Sequence, residues 1–342
     1  MASMDRPEQS ESTASGGGWP LGEGATMLAG SVALIALAAA WYGGLLPAAL
    51  TRRIAGLPSE MLHRTLEVGH LTFMAGVVLA FAIEIGFVGY RDSSLARVLR
   101  PSRSTIIDLF CVFSVVTGIS WFLTTLCSFG LAGPVANRLS ALAPNGLLAV
   151  HNPILQAFWI LVIGDFFKYW LHFFEHKVPF WWQAHKFHHS ATEMNIVTAS
   201  REHPVQSAFD FMAMAIPNAL MAGDATQFLL LQVLTSIGGG VNHSMLEWRY
   251  GWIGRWVLVS PVTHRIHHSA LIEHHDRNFG ATFVIWDRLF GTYYGGTSLN
   301  ATVDVVGNPY NRHPLPYDLL LCAALSLKTL ALAPFRLVGL VR

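Results

Sequence analysis

Residues 24–51 contain no charged side chain, and three further stretches are nearly as bare. Residues 71–90 are interrupted by Glu84 alone, residues 105–137 by Asp108 alone, and residues 150–170 carry charge only at Asp165 and Lys168. A run of about 20 apolar residues is long enough to cross a bilayer as a helix. In hydrocarbon every backbone polar group must be satisfied within the protein, so such runs fold as helices or not at all. The rest of the composition agrees. Charged residues make up 13% of the 342-residue chain, against roughly 25% in soluble domains. The expected fold is all-α: a polytopic membrane helical bundle with about four to six membrane-embedded helices.

Residues 1–23 are Gly- and Ser-rich and read as a disordered tail, with an acidic start unlike a signal peptide. Residues 24–104 then hold N-terminal membrane helices and a basic loop. Residues 205–241 read as a hairpin of two short helices turning at 222–224, and residues 318–340 as an interfacial helix in a tail that starts at 296. Basic residues set orientation. Arg91, Arg97, Arg100 and Arg103 place the loop 91–104 in the cytoplasm. Counting helices from there puts His172, His203 and His243 on that side, with residues 244–316 as a polar helical cap. "FWW" (180–182) and "EWRYGWIGRW" (247–256) mix aromatic and basic side chains as a surface at headgroup level does. The net charge of +1 gives no support to a nucleic-acid partner. Cys111, Cys127 and Cys322 form no Cys-x-x-Cys and suggest neither a disulfide framework nor a thiolate metal site.

Histidine is the unusual residue. Of 16 in the chain, twelve fall between His172 and His275. "HFFEH" (172–176) is a His-x-x-x-His. "HKFHH" (185–189) and "HRIHH" (264–268) are two copies of His-x-x-His-His. Residues three and four apart share a helix face, so each box points its imidazoles one way. His243, at the end of the hairpin, emerges at the same depth. Crowded imidazoles repel if protonated and leave lone pairs unsatisfied if neutral. A metal ion removes both difficulties. His172, His176, His185, His188, His189, His243, His264, His267 and His268 are too many for one ion and suit two, with four or five ligands each. Imidazole accommodates zinc, copper, iron or nickel, and spacing does not choose among them. Asp165, His203, Asp210, Asp276, Asn278 and Asp287 are candidates to orient these rings, with Glu202 beside them. His274 and His275 read as spare, and His63, His70, His151 and His313 as ordinary surface or core histidines.

In order and spacing the three boxes resemble the fatty acid hydroxylase/sterol desaturase family. So do "DFFKYWLH" (165–172), "REHP" (201–204) and "NFGATFVIWDRLFGTYY" (278–294). The resemblance covers residues 105–295. It implies a histidine-ligated pair of non-haem iron ions that activates O2 and hydroxylates or desaturates an aliphatic lipid: fatty acid, sterol, carotenoid or alkylglycerol. With no nucleotide fingerprint or fused haem in the chain, electrons are expected from a separate ferredoxin or cytochrome b5-like carrier. Some relatives carry a further His-x-x-x-His where this chain has "GGVNH". Gly239 replaces the first histidine and leaves His243, with water or Asn242, to complete one shell. The competing readings are a haem-binding membrane protein, a divalent-cation transporter and a zinc hydrolase. The first expects His pairs within the spans, the second polar residues through the midplane, the third about three ligands.

Overall fold

The computed structural model describes residues 68–143, 145–221 and 225–296, together with Lys328. The expected spans at 24–51 and 318–340, the tail 1–23, and His63 and His313 lie outside these residues. Among the described residues every regular element is a helix, apart from one isolated antiparallel bridge, Leu258 to Phe283.

In chain order the α-helices are α1 (Val68–Val88), α2 (Ser94–Leu99), α3 (Arg103–Val116), α4 (Ile119–Cys127), α5 (Ala132–Leu142) and α6 (Pro153–Lys177). They continue with α7 (Pro179–His185), α8 (Pro204–Met221), α9 (Ala225–Asn242), α10 (Gly251–Trp256), α11 (Pro261–His267) and α12 (Ile285–Phe290). Short 3-10 turns cover His188–Ser190, Ile196–Ser200 and Ile272–His274. Helices α1 and α6 are long and apolar enough to cross a membrane, and α3 with α4 passes as a broken third span.

That third span corrects the sequence reading of one apolar helix through 105–137. Between α3 and α4 the axis bends by 87°. Gly118 takes φ +78° at the break, a left-handed conformation that glycine adopts without steric cost. Hydrophobicity carries no signal for such a bend, because both arms remain apolar.

Helix α6 starts where Asn152 caps it, its side chain accepting from the N–H groups of Ile154 and Leu155 at 3.0 Å. It stops at Val178, which the following Pro179 holds extended. The boxes on α6 and α7 therefore follow one another across a proline corner. Helices α1 and α9 pack closely. A Cβ on Gly76 would meet Ser236 at 2.6 Å, and one on Gly240 would meet Ala80 at 2.9 Å, so small residues set the approach. Glu84, near the end of α1, is fully buried. It accepts from Ser94 N at 2.6 Å, Ser94 Oγ at 2.7 Å and Met245 N at 2.6 Å. A carboxylate in an apolar helix needs such partners, and here it pins the strand of chain that leaves His243.

Candidate metal centre

All nine histidines of the boxes and His243 converge, and they converge as two groups. His172, His176, His185, His189 and His267 form one; His188, His243, His264 and His268 form the other. Within each group the facing ring nitrogens all lie within 4.8 Å of one another. The groups adjoin, with the rings of His189 and His268 stacked at 4.4 Å.

The division corrects the expectation that each box presents one face. The helix carrying the second box ends at His185, and His188 starts a 3-10 turn. Each i, i+4 pair stays together: 172 with 176, 185 with 189, 264 with 268. The intervening His188 and His267 each cross to the other group. Two copies of His-x-x-His-His thus tie the two groups into one unit.

Hydrogen bonding fixes which nitrogen faces inward. His172 Nδ1 lies 2.8 Å from Phe279 O, His188 Nδ1 3.1 Å from Arg201 O, His243 Nδ1 2.8 Å from Gly239 O, and His267 Nδ1 2.8 Å from Arg277 O. A carbonyl only accepts, so each Nδ1 carries the proton and each Nε2 of the neutral ring is a bare lone pair. His188 Nε2 and His243 Nε2, both bare by this test, face each other at 3.4 Å. Nε2 of His172 and of His267 are buried with no hydrogen-bond partner. Lone pairs turned on one another in a buried space fit a cation between them and little else.

The rings are also kept neutral. Burial, with repulsion from neighbouring imidazoles, holds His185, His188, His189, His264 and His268 well below the ordinary histidine range. Burial pushes His243 and His267 down to about 4, against an opposing carbonyl bond on each. The unfolded chain therefore takes up protons first as pH falls below about 6.5. Chelator-treated protein is expected to lose stability progressively from about pH 6.5 to about pH 4, and to be insensitive to these groups above that window. Thermal unfolding across the range checks this; a midpoint constant from pH 7 to 4.5 would contradict it.

The candidate orienting residues divide differently from the sequence reading. Asp165 does not reach a histidine. It accepts from Thr282 N at 2.8 Å, Phe283 N at 3.0 Å and Trp286 Nε1 at 2.9 Å, tying α6 to α12 and the segment before it. Asp210 pairs with Lys168 at 2.6 Å, joining α8 to α6. Asp287 acts at one remove: it accepts from Phe279 N at 2.7 Å and Gly280 N at 2.9 Å, and Phe279 O holds His172. Asn278, at φ +59°, donates to Thr263 O at 3.2 Å and Tyr294 O at 2.9 Å, bracing the helix of the third box. Asp276 lies 3.9 Å from His176 Nδ1 and pairs with Lys177 at 2.5 Å. His203 is buried against Phe187 behind the second box, its Nδ1 accepting from Val205 N at 3.1 Å. Glu202 accepts from Ser207 Oγ at 2.7 Å. Asn242, offered as a partner for His243, turns away and donates to Ala281 O at 3.3 Å. Gly239 contributes the carbonyl that orients His243. His274 is buried beside Tyr294, and His275 is exposed.

Two buried charged residues beside the second box escaped sequence reasoning. Glu175, inside the first box, is buried with Oε2 3.2 Å from His185 Nδ1. Arg201 is fully buried and pairs with Asp108 at 2.9 Å. It also donates to Phe187 O at 3.1 Å and Ser190 Oγ at 2.9 Å, so it clasps the second box while its own carbonyl holds His188. The available signals were the Glu within "HFFEH" and the lone Asp108 in an uncharged run.

A cavity of about 590 Å³ opens between α6, α8 and α9, and its wall includes Asn242, the residue before His243. Its wall runs along α9 from Phe228 to Asn242, about 20 Å at 1.5 Å per residue. From α8 only Met214 and Asn218 contribute to it.

Residues 157–292 match the family model described as fatty acid hydroxylase. Alkylglycerol monooxygenase of Xenopus tropicalis is 34% identical over 141 residues, 40% of this chain and 30% of that protein. Ornithine lipid hydroxylase OlsE of Rhizobium tropici is 30% identical over 134 residues, 39% of this chain and 40% of that protein. Human alkylglycerol monooxygenase is 31% identical over 134 residues, 38% of this chain and 28% of that protein. The chain spans less than half the length of each of these relatives. No solved structure matches. The matched stretch contains every histidine of both groups, and in it the chain resembles the fatty acid hydroxylase family.

Proposed function

We propose that this protein is a membrane-bound oxygenase that uses O2 and external electrons to hydroxylate or desaturate the alkyl chain of a lipid. The observation that carries the reading is the pair of imidazole groups with inward lone pairs, together with an apolar cavity whose wall includes Asn242, the residue before His243. His172, His176, His185, His189 and His267 would hold one iron ion, and His188, His243, His264 and His268 the other. Iron so bound supplies O2 activation for cleaving an unactivated C–H bond, which acid–base side chains do not achieve.

The chain itself does the positioning. Main-chain carbonyls orient four of the imidazoles. The walls of α6 and α9 offer an extended alkyl chain a largely apolar slot, and a bound lipid there excludes water from the reacting carbon. Arg91, Arg97, Arg100 and Arg103 favour a cytoplasmic position for the centre, where a ferredoxin or cytochrome b5-like carrier has access. The relatives act on lipids with quite different head groups by their names, so the alkyl chain is the common element.

Purified protein in lipid nanodiscs, supplied with reductant, carrier and 18O2, is expected to contain iron. Lipid products should have gained one labelled oxygen atom or lost two hydrogens. Turnover by protein that elemental analysis finds free of transition metal would overturn the reading, and a Soret band would favour haem. The slot makes its own prediction. Gly238 lies on the cavity wall, and a Cβ there would meet nothing within 4 Å. Gly238→Phe is expected to lower turnover roughly 10²-fold by displacing the chain while metal content stays at the wild-type ratio. Unchanged turnover would move the substrate elsewhere.

A further inference from the structure

On α6, Leu155 and Trp159 are 44% and 40% exposed, on the outward stripe of a helix long enough to span. The same stripe continues through Phe166 and Trp170, three and four residues being the repeat of a face. There it is covered by α12: the ring of Trp286 lies 5.1 Å from Phe166, and that of Phe290 4.7 Å from Trp170. Phe166 is seven residues from Trp159, about 10 Å along the axis. Helix α12 therefore rests on the lipid-facing stripe of a membrane span, only two turns above its bare portion.

The outer side of α12 is not polar. Ile285 is 43% and Leu289 65% exposed, and on neighbouring α10 Trp252 and Trp256 are 68% and 57% exposed. The two helices are one unit. Val259 N donates to Thr282 O and Val284 N to Val257 O, both at 2.9 Å. Arg288 donates to Arg255 O at 2.8 Å, and its guanidinium lies 4.3 Å from the centre of the Trp256 ring. Arg249 and Arg255 stand exposed at its edge. Paired aromatics and arginines around an apolar face match the acyl–headgroup boundary of a leaflet. Tyr250, Leu258, Val259 and Ala281 from the same unit line the cavity.

We infer that α10, the Leu258–Phe283 bridge and α12 form a platform sunk into one leaflet, with acyl chains against Trp252 and Leu289 and anionic headgroups at Arg249 and Arg255. This part of the chain is then not the polar cap that its arginines suggest. The cavity opens sideways into the leaflet through the platform, and a lipid reaches it without leaving the bilayer. The placement holds whether or not the chain is an oxygenase.

Spin labels test it directly. In full-length protein with Cys111, Cys127 and Cys322 replaced by alanine, single labels are placed through Leu289→Cys, Trp252→Cys, Ile154→Cys on α6 and Glu273→Cys on the exposed 3-10 turn. All four sites are exposed, so packing is undisturbed. In phosphatidylcholine–phosphatidylglycerol nanodiscs, labels 289 and 252 should collide with O2 several-fold more than with a water-soluble nickel chelate, as label 154 does. Label 273 should show the reverse. Nickel accessibility at 289 and 252 equal to that at 273 would put the platform in water and overturn the inference. Protection from both reagents would assign the face to a protein contact and overturn it equally.

Discussion

His188→Ala is expected to abolish lipid oxidation, at least 10²-fold below wild type, and to lower bound metal while leaving the helical circular dichroism unchanged. His188 is the one ring of the second box that crosses to the group of His243, His264 and His268. Its loss leaves that group three imidazoles and leaves the five-membered group intact. Elemental analysis should therefore fall from two equivalents per chain toward one, not to zero. The fold should survive, because His188 sits in a 3-10 turn and anchors through a single bond to Arg201 O. Retained oxidation in this variant would sink the proposed centre. Loss of both equivalents would mean that the two groups fill only together.

Asp108→Ala is expected to destabilise the protein by about 3–5 kcal/mol. Asp108 and Arg201 are both shielded from solvent, at 0% side-chain exposure each. Removing the carboxylate leaves the guanidinium buried without its counter-charge, and also strips a partner from Thr198 Oγ at 2.8 Å and Asn195 Nδ2 at 3.1 Å. Asp108→Asn should cost nearly as much, since it keeps the shape and loses the charge. The double variant Asp108→Leu with Arg201→Met should recover much of the loss, as apolar replacements of buried pairs do. Thermal unfolding in nanodiscs reads the effect. An Asp108→Ala midpoint equal to wild type would show the pair to be dispensable. Activity should fall with stability, because Arg201 clasps the second box.

The histidines were legible because their signal is local: spacing on a helix needs no knowledge of the rest of the fold. All nine lie in the two groups. Their allocation between groups was not legible, since it depends on α7 ending at His185 and a tighter turn taking over. The long apolar runs marked α1 and α6 for the same local reason. The bend at Gly118 stayed hidden, because one glycine among apolar residues reads equally well as helix. Buried charges were the hardest to place. Asp165, Asp210 and Asp287 were expected to orient the rings, but Asp165 and Asp210 take other partners, from 42 to 121 residues away, and Asp287 acts through a peptide group. Only the folded chain reveals which.

Four of the nine rings take their orientation from main-chain oxygens, at Arg201, Gly239, Arg277 and Phe279. A peptide carbonyl is present whatever side chain it carries. The inward aim of those nitrogens is thus written into the path of the backbone, and neighbouring sequence can drift widely without erasing it. Proteins of this kind are free to diversify their walls, and with them what they admit, while the reactive core keeps its bearing.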